Sequence, residues 1–137
     1  MRRFAFKMKL KPGTVAEYKK RHDEIWPELA KELRAAGISD YSIFLDEETL
    51  TLFAVRKLTD DNTACELPQS PIVRKWWDFM APLMEVEPDN APVCIPLKEV
   101  LHLINPVLHR AWLLLRRREA CFRNRRAYRP RPLSSPV

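Results

Sequence analysis

Glycine is nearly missing, with two residues in a chain of 137. A phosphate cradle needs several, because only glycine lets consecutive backbone N–H groups close around an anion, so nucleotide cofactors of the usual kinds are disfavoured. Cysteine is scarce too. Cys65, Cys94 and Cys121 are odd in number and widely spaced, with no C-x-x-C pair and no nearby pair of histidines. That pattern argues against a disulfide framework and a zinc site and reads as reduced thiols acting as small hydrophobes, with a nucleophile or metal ligand as the competing reading. No apolar run approaches the roughly 18 to 20 residues that span a bilayer, and no apolar leader opens the chain. The expectation is a soluble cytoplasmic protein with no zinc site, no nucleotide cofactor of the usual kinds and no membrane partner.

What is present suits one globular core. Hydrophobic residues make up 46% of the chain and charged residues 31%, and at this length roughly two-thirds of the unfolded surface can be buried. The net charge of +6 first suggests nucleic acid, but it is unevenly placed. Residues 1–104 hold 15 Lys plus Arg against 17 Asp plus Glu, two negative, whereas residues 105–137 hold nine Arg against one Glu, eight positive. The basic character therefore belongs to a C-terminal extension, and nucleic acid is an unlikely partner of the body. The expected organisation is an α+β domain over 1–104 and a basic, partly disordered extension over 105–137, with a short helix at Ala111–Arg118 and disorder over 129–136.

Along the body, Phe4, Phe6, Met8 and Leu10 alternate with Arg3, Ala5, Lys7 and Lys9, which predicts a strand with one buried face ending at Pro12-Gly13. Thr14-Val15-Ala16-Glu17 has the form of a capping box. One helix is expected from Val15 to about Ala36, kinked by Pro27 and stopped by Gly37. Ile38–Leu45 and Leu50–Lys57 read as a hairpin around Asp46–Thr49. Asp60–Gln69 reads as a polar connection, Pro71–Met80 as a second helix capped by Ser70, and Leu97–Ile104 as a last strand. The order βαββαβ is that of a ferredoxin-like subunit with both helices on one face of an antiparallel sheet. The second strand puts Tyr41, Ile43 and Leu45 on one side and Ser42 and Phe44 on the other, so neither face is wholly polar. A second subunit would cover the open one, giving a dimeric α+β barrel.

Tyr18 and His22 share a helix face, with Trp26 a turn further on. They are either a core margin whose polar tips find partners, or a pocket in which the imidazole moves a proton beside a phenol that donates a hydrogen bond. Trp76 and Trp77 lie about 100° apart around the second helix, so one indole can enter the core while the other borders a cleft. Indole faces suit the C–H faces of sugars; packing or a subunit contact is the other reading. Tyr41 can add a hydroxyl from the sheet or merely pack. His102 reads as a structural residue of the last strand, and Asp89-Asn90 as a turn whose side chains can cap a neighbouring segment.

Taken together, the run Glu17–Leu29 (EYKKRHDEIWPEL), Tyr41–Asp46 (YSIFLD), Arg74–Trp77 (RKWW) and Pro88–Val93 (PDNAPV) resembles the L-rhamnose mutarotase family from about Arg3 to Leu103. The resemblance implies a homodimeric α+β barrel that interconverts the anomers of L-rhamnose without a cofactor. It also implies that His22 is the proton donor and that Tyr18, Tyr41, Trp76 and Trp77 bind the sugar. Residues 105–137 have no counterpart in it and read as an acquired extension. Two other function classes fit parts of the pattern. A cofactor-independent monooxygenase or haem-binding barrel would use His22 or His102 as base or ligand, and a binding module would act through the basic extension.

Overall fold

A computed structural model describes residues 1–104, and the helix and disorder expected within 105–137 lie outside the described residues. The chain divides after Glu99; the unit over Met1–Glu99 carries every element named below. Strand β1 (Arg2–Lys9) is followed by helices α1 (Val15–Asp23) and α2 (Pro27–Ala35), strands β2 (Ile38–Asp46) and β3 (Thr51–Leu58), helix α3 (Pro71–Met80) and strand β4 (Ile95–Leu97). The four strands form one sheet in the order β2-β3-β1-β4. Every neighbouring pair is antiparallel, which leaves β1 and β2 parallel with β3 between them, the split arrangement of a ferredoxin-like subunit.

The alternation read in β1 sets the two faces of the sheet. Phe6 and Met8 stand opposite Ala54 and Leu52 of β3, which in turn stand opposite Ile43 and Leu45 of β2. This face is covered by Tyr18, Leu29, Val73, Trp76 and Met80 from the three helices, and together these residues make the core. The other face carries Ala5, Lys7, Phe44, Phe53, Val55, Ile95 and Leu97. Phe44 is 64% exposed, Ile95 50%, Phe53 38% and Leu97 37%.

Three expectations need correction. The helix expected over 15–36 is two helices. Proline lacks an N–H, and its ring would strike the carbonyl of Asp23, so α1 stops there. Trp26, preceding the proline, takes the extended conformation (φ −62°, ψ 128°) that such residues favour, and Pro27 opens α2 at its first position. The capping box does not form. Thr14 Oγ1 donates to the carbonyls of Lys11 (2.7 Å) and Leu83 (2.9 Å), fastening the helix start to the segment after α3, while Glu17 accepts from Arg21 Nε at 2.8 Å. The last strand is three residues, Ile95–Leu97, rather than Leu97–Ile104. It pairs with β1 in the register Ala5↔Leu97, and continuing that register soon runs off the start of β1 at Arg2. Arg3 still meets Glu99 across the gap at 3.0 Å. His102 therefore belongs to no strand.

The remaining elements follow the sequence closely. Asp46 holds the hairpin turn by accepting from the Glu48 N–H (3.1 Å) and the Thr49 hydroxyl (2.8 Å). α3 covers the expected residues, although Ser70 contributes no side-chain cap. The connection before it contains a 3₁₀ helix at Ala64–Gln69.

Candidate active site

The site grows from one face of α1. Tyr18 and His22 are a turn apart, and their rings lie 4.2 Å centre to centre. His22 Nδ1 is 3.0 Å from the Tyr18 carbonyl oxygen. A carbonyl can only accept, so this nitrogen carries a hydrogen and Nε2 is left to exchange a proton. Burial holds the imidazole below its usual value of 6.5, against the opposing pull of that hydrogen bond. The ring stays neutral near pH 7.

From α3, Trp76 meets the edge of His22 at 5.4 Å between ring centres (86° between planes) and Trp26 at 5.1 Å. Phe79, one turn beyond Trp76, stacks on Trp26 at 5.4 Å, and the Arg21 guanidinium lies 4.0 Å from the Phe79 ring centre. The helix break at Pro27 is what frees Trp26 to lie here, since its backbone is extended rather than helical. Of the Trp pair, Trp76 is buried and Trp77 half-buried, the division that 100° of helix rotation predicts. Trp77 packs beneath Arg74 (5.3 Å), and Arg74 pairs with Asp89 at 3.0 Å. Asn90 donates to Asp78 at 3.0 Å. The turn at Asp89-Asn90 thus fastens its loop to α3, as its residues suggested.

From the sheet, Tyr41 approaches the ring of Phe6 at 6.5 Å and sits 5.8 Å from the Arg56 guanidinium. Burial around the phenol oxygen pushes its pKa up to about 12, although 38% of the residue's surface remains open. Burial raises Tyr18 further still, and the nearby Tyr41 and Cys94 add to the shift. Both phenols are therefore neutral hydrogen-bond donors at any physiological pH. Cys94, free and exposed, also feels burial and the Arg56 charge.

The structure thus brings Tyr18, His22 and Trp76 into direct contact, while Tyr41 meets Phe6 and Arg56. Among the ring contacts of the described residues, Trp77 meets none of the other four. Phe79 and Arg56 were not singled out by sequence reasoning. The signal for Arg56 was available, as a charge in the apolar phase of β3; that for Phe79 was its three-residue spacing from Trp76. Among the described residues no group of three or more His, Cys, Asp or Glu side chains is placed to share a metal ion, and no helix is long and apolar enough to cross a membrane.

Comparison with known proteins adds an independent line. The model of the L-rhamnose mutarotase family matches residues 3–103. An L-rhamnose mutarotase of Mesorhizobium japonicum is 56% identical over 101 residues, covering 74% of this chain and 96% of its own. One from Bacteroides thetaiotaomicron is 56% identical over 103 residues, covering 75% and 99%. A crystal structure of an L-rhamnose mutarotase from Formosa agariphila superposes with a TM-score of 0.71 at 54% identity, over 76% of this chain and 100% of that one. A putative antibiotic biosynthesis monooxygenase from Bordetella bronchiseptica shares the fold alone, with a TM-score of 0.52 at 18% identity over 72% and 96% of the two chains.

Proposed function

The chain belongs to the L-rhamnose mutarotase family, and from that membership we propose that it is a carbohydrate isomerase interconverting the α and β anomers of L-rhamnose, with His22 as its proton donor. The observation that carries the assignment of His22 is its setting. The imidazole is wedged between Tyr18 and Trp76, with one nitrogen occupied by a backbone carbonyl and the other left for chemistry. Family likeness and sequence identity favour this reading over a monooxygenase, with which only the subunit fold is shared.

Anomers exchange when the hemiacetal opens. The ring oxygen gains a proton, the anomeric hydroxyl loses one, and the bond between ring oxygen and anomeric carbon breaks. The freed aldehyde turns before reclosing, and no carbon–hydrogen bond is touched. In this scheme the charged form of His22, protonated on both nitrogens, gives its Nε2 proton to the ring oxygen and recovers it on closure. Tyr18 and Tyr41, as neutral phenols, hold sugar hydroxyls. Trp76 and Trp77 offer apolar faces to the ring carbons and help to exclude water.

The reading extends to assembly and location. A second copy packed on the open sheet face would bury Phe44, Phe53, Ile95 and Leu97, an exposed apolar patch of the kind that marks an interface, and would complete a dimeric barrel. A cytoplasmic location fits the free thiols of Cys65 and Cys94. Residues 105–137 stand apart as a basic extension of the catalytic domain, since the family match ends at residue 103. Nucleic acid is not among the partners.

The test is saturation-transfer NMR between the anomeric protons of L-rhamnose at equilibrium. Wild-type protein is expected to accelerate the exchange, and His22→Ala to lose about 10²- to 10⁴-fold of that acceleration, the usual worth of general acid–base help. Near-normal exchange with His22→Ala would end the assignment of His22. No acceleration by folded wild type would end the activity.

A further inference from the structure

Arg56 is a charge in an apolar row. Alternation along β3 puts it on the helix-covered face with Leu52, Ala54 and Leu58, each 5% exposed or less, and it stands opposite Phe4 of β1. Its guanidinium carbon lies 5.5 Å from the ring centre of Phe4, 5.3 Å from that of Phe6 and 5.8 Å from that of Tyr41. Among the described residues its Nε is buried and has no hydrogen-bond partner. Among the described residues no carboxylate pairs with it.

A β-bulge explains the isolation. Between the registers Ser39↔Lys57 and Ser42↔Val55, two residues of β2, Asp40 and Tyr41, stand against Arg56 alone. Asp40 adopts a left-handed backbone (φ 47°) and pairs with Lys57 at 2.8 Å. Asp40 is thereby given to another base, and Arg56 receives the phenol ring instead. Aromatic faces attract the guanidinium as a cation, but they accept no in-plane N–H bond, and a buried donor without an acceptor is destabilising. The site is therefore short of an acceptor oxygen beside Tyr41, and a sugar hydroxyl is such an oxygen.

We propose that Arg56 is a substrate-binding residue whose guanidinium donates to one hydroxyl oxygen of the sugar bound beside Tyr41. This rests on the mutarotase reading of the same site and adds a specificity determinant to it. A sugar lacking that hydroxyl leaves the guanidinium unpaired and is rejected for that reason rather than by shape.

The test is a cycle in which one change is made in the protein and one in the ligand. Binding of L-rhamnose, and of four analogues each lacking one of the hydroxyls on carbons one to four, is followed through the indole N–H signals of the full-length protein, for wild type, Arg56→Met and Arg56→Lys. A charge-assisted bond predicts that Arg56→Met weakens L-rhamnose binding about tenfold or more, with Arg56→Lys falling between it and wild type. For one analogue, wild type and variant should bind alike within about twofold, because the partner oxygen is already gone. A folded Arg56→Met that binds L-rhamnose as wild type does would overturn the proposal, as would one weakened by the same factor for every sugar, which would mean that Arg56 only props Tyr41. If Arg56→Met does not fold, Arg56→Lys, which keeps the charge and loses Nε, carries the same comparison with the same two readings. Failure of wild type to bind L-rhamnose would instead overturn the mutarotase reading, and this proposal with it.

Discussion

His22 is tuned by two opposed effects, and their balance has consequences at two levels. Burial lowers its pKa below 6.5 more than the bond to the Tyr18 carbonyl raises it. As a proton donor His22 must be charged, so kcat/KM for mutarotation is expected to rise as pH falls toward that depressed value, to level off below it, and to drop up to tenfold per pH unit above it. A profile rising in the opposite direction would make His22 the base. Stability runs the other way. A group whose folded pKa is depressed resists protonation only in the folded state, so its contribution is complete above the unfolded value near 6.5 and is lost as pH falls through the folded one. Thermal unfolding measured between pH 7.5 and 5 should show Tm falling for wild type more than for His22→Ala. Activity and stability at this residue therefore oppose each other over one pH window.

At the scale of elements, the junctions decide where side chains go. Pro27 was legible as a helix disturbance; that the Trp26 it leaves extended would join an aromatic cluster depended on packing against Trp76 and Phe79. Gly37 was legible as a helix stop, and the structure supplies a second reason for it. Its φ is +84°, its carbonyl accepts from the Thr59 N–H at 3.0 Å, and a Cβ built there would press on Thr59 Oγ1 and sit 2.9 Å from Asn62 Cβ. Gly13 has a similar φ of +79° with nothing within 4 Å. Gly13→Ala is expected to incur only the left-handed backbone penalty of about 1–2 kcal/mol. Gly37→Ala incurs that penalty plus overlap with Thr59 Oγ1 and Asn62 Cβ, so its Tm should fall further, by on the order of 10 °C. Equal melting temperatures for the two variants would mean that the 37–62 contact yields freely. The final strand was overextended in the sequence reading because Leu97–Ile104 alternates well, and alternation says nothing about whether a partner strand is there to receive it.

For the whole molecule, the open sheet face sets the expectation. Phe44 is the most exposed of its apolar residues and stands beside Phe53, so a charge there should be tolerated by the fold and rejected by an interface. Phe44→Glu is expected to sediment as a monomer at micromolar concentration, where wild type is expected to sediment as a dimer, while keeping its Tm within a few degrees. A monomeric wild type would remove the dimer from the proposed function.

The order of the strands, the split antiparallel sheet, the buried face of β1, the extent of α3 and the family were all legible in the sequence, because period-two and helical spacing, proline and glycine positions, and motif order are local properties of the chain. It also held the candidates Tyr18, His22, Tyr41, Trp76 and Trp77. Only the tertiary structure decided which of these touch. His22 meets Trp76 because α1 and α3 pack side by side on one sheet face, and Arg56 meets Tyr41 because a bulge puts two residues of β2 opposite one of β3. Both contacts join residues far apart in sequence. No local pattern specifies such a pairing: it is set by which buried faces the fold stacks together.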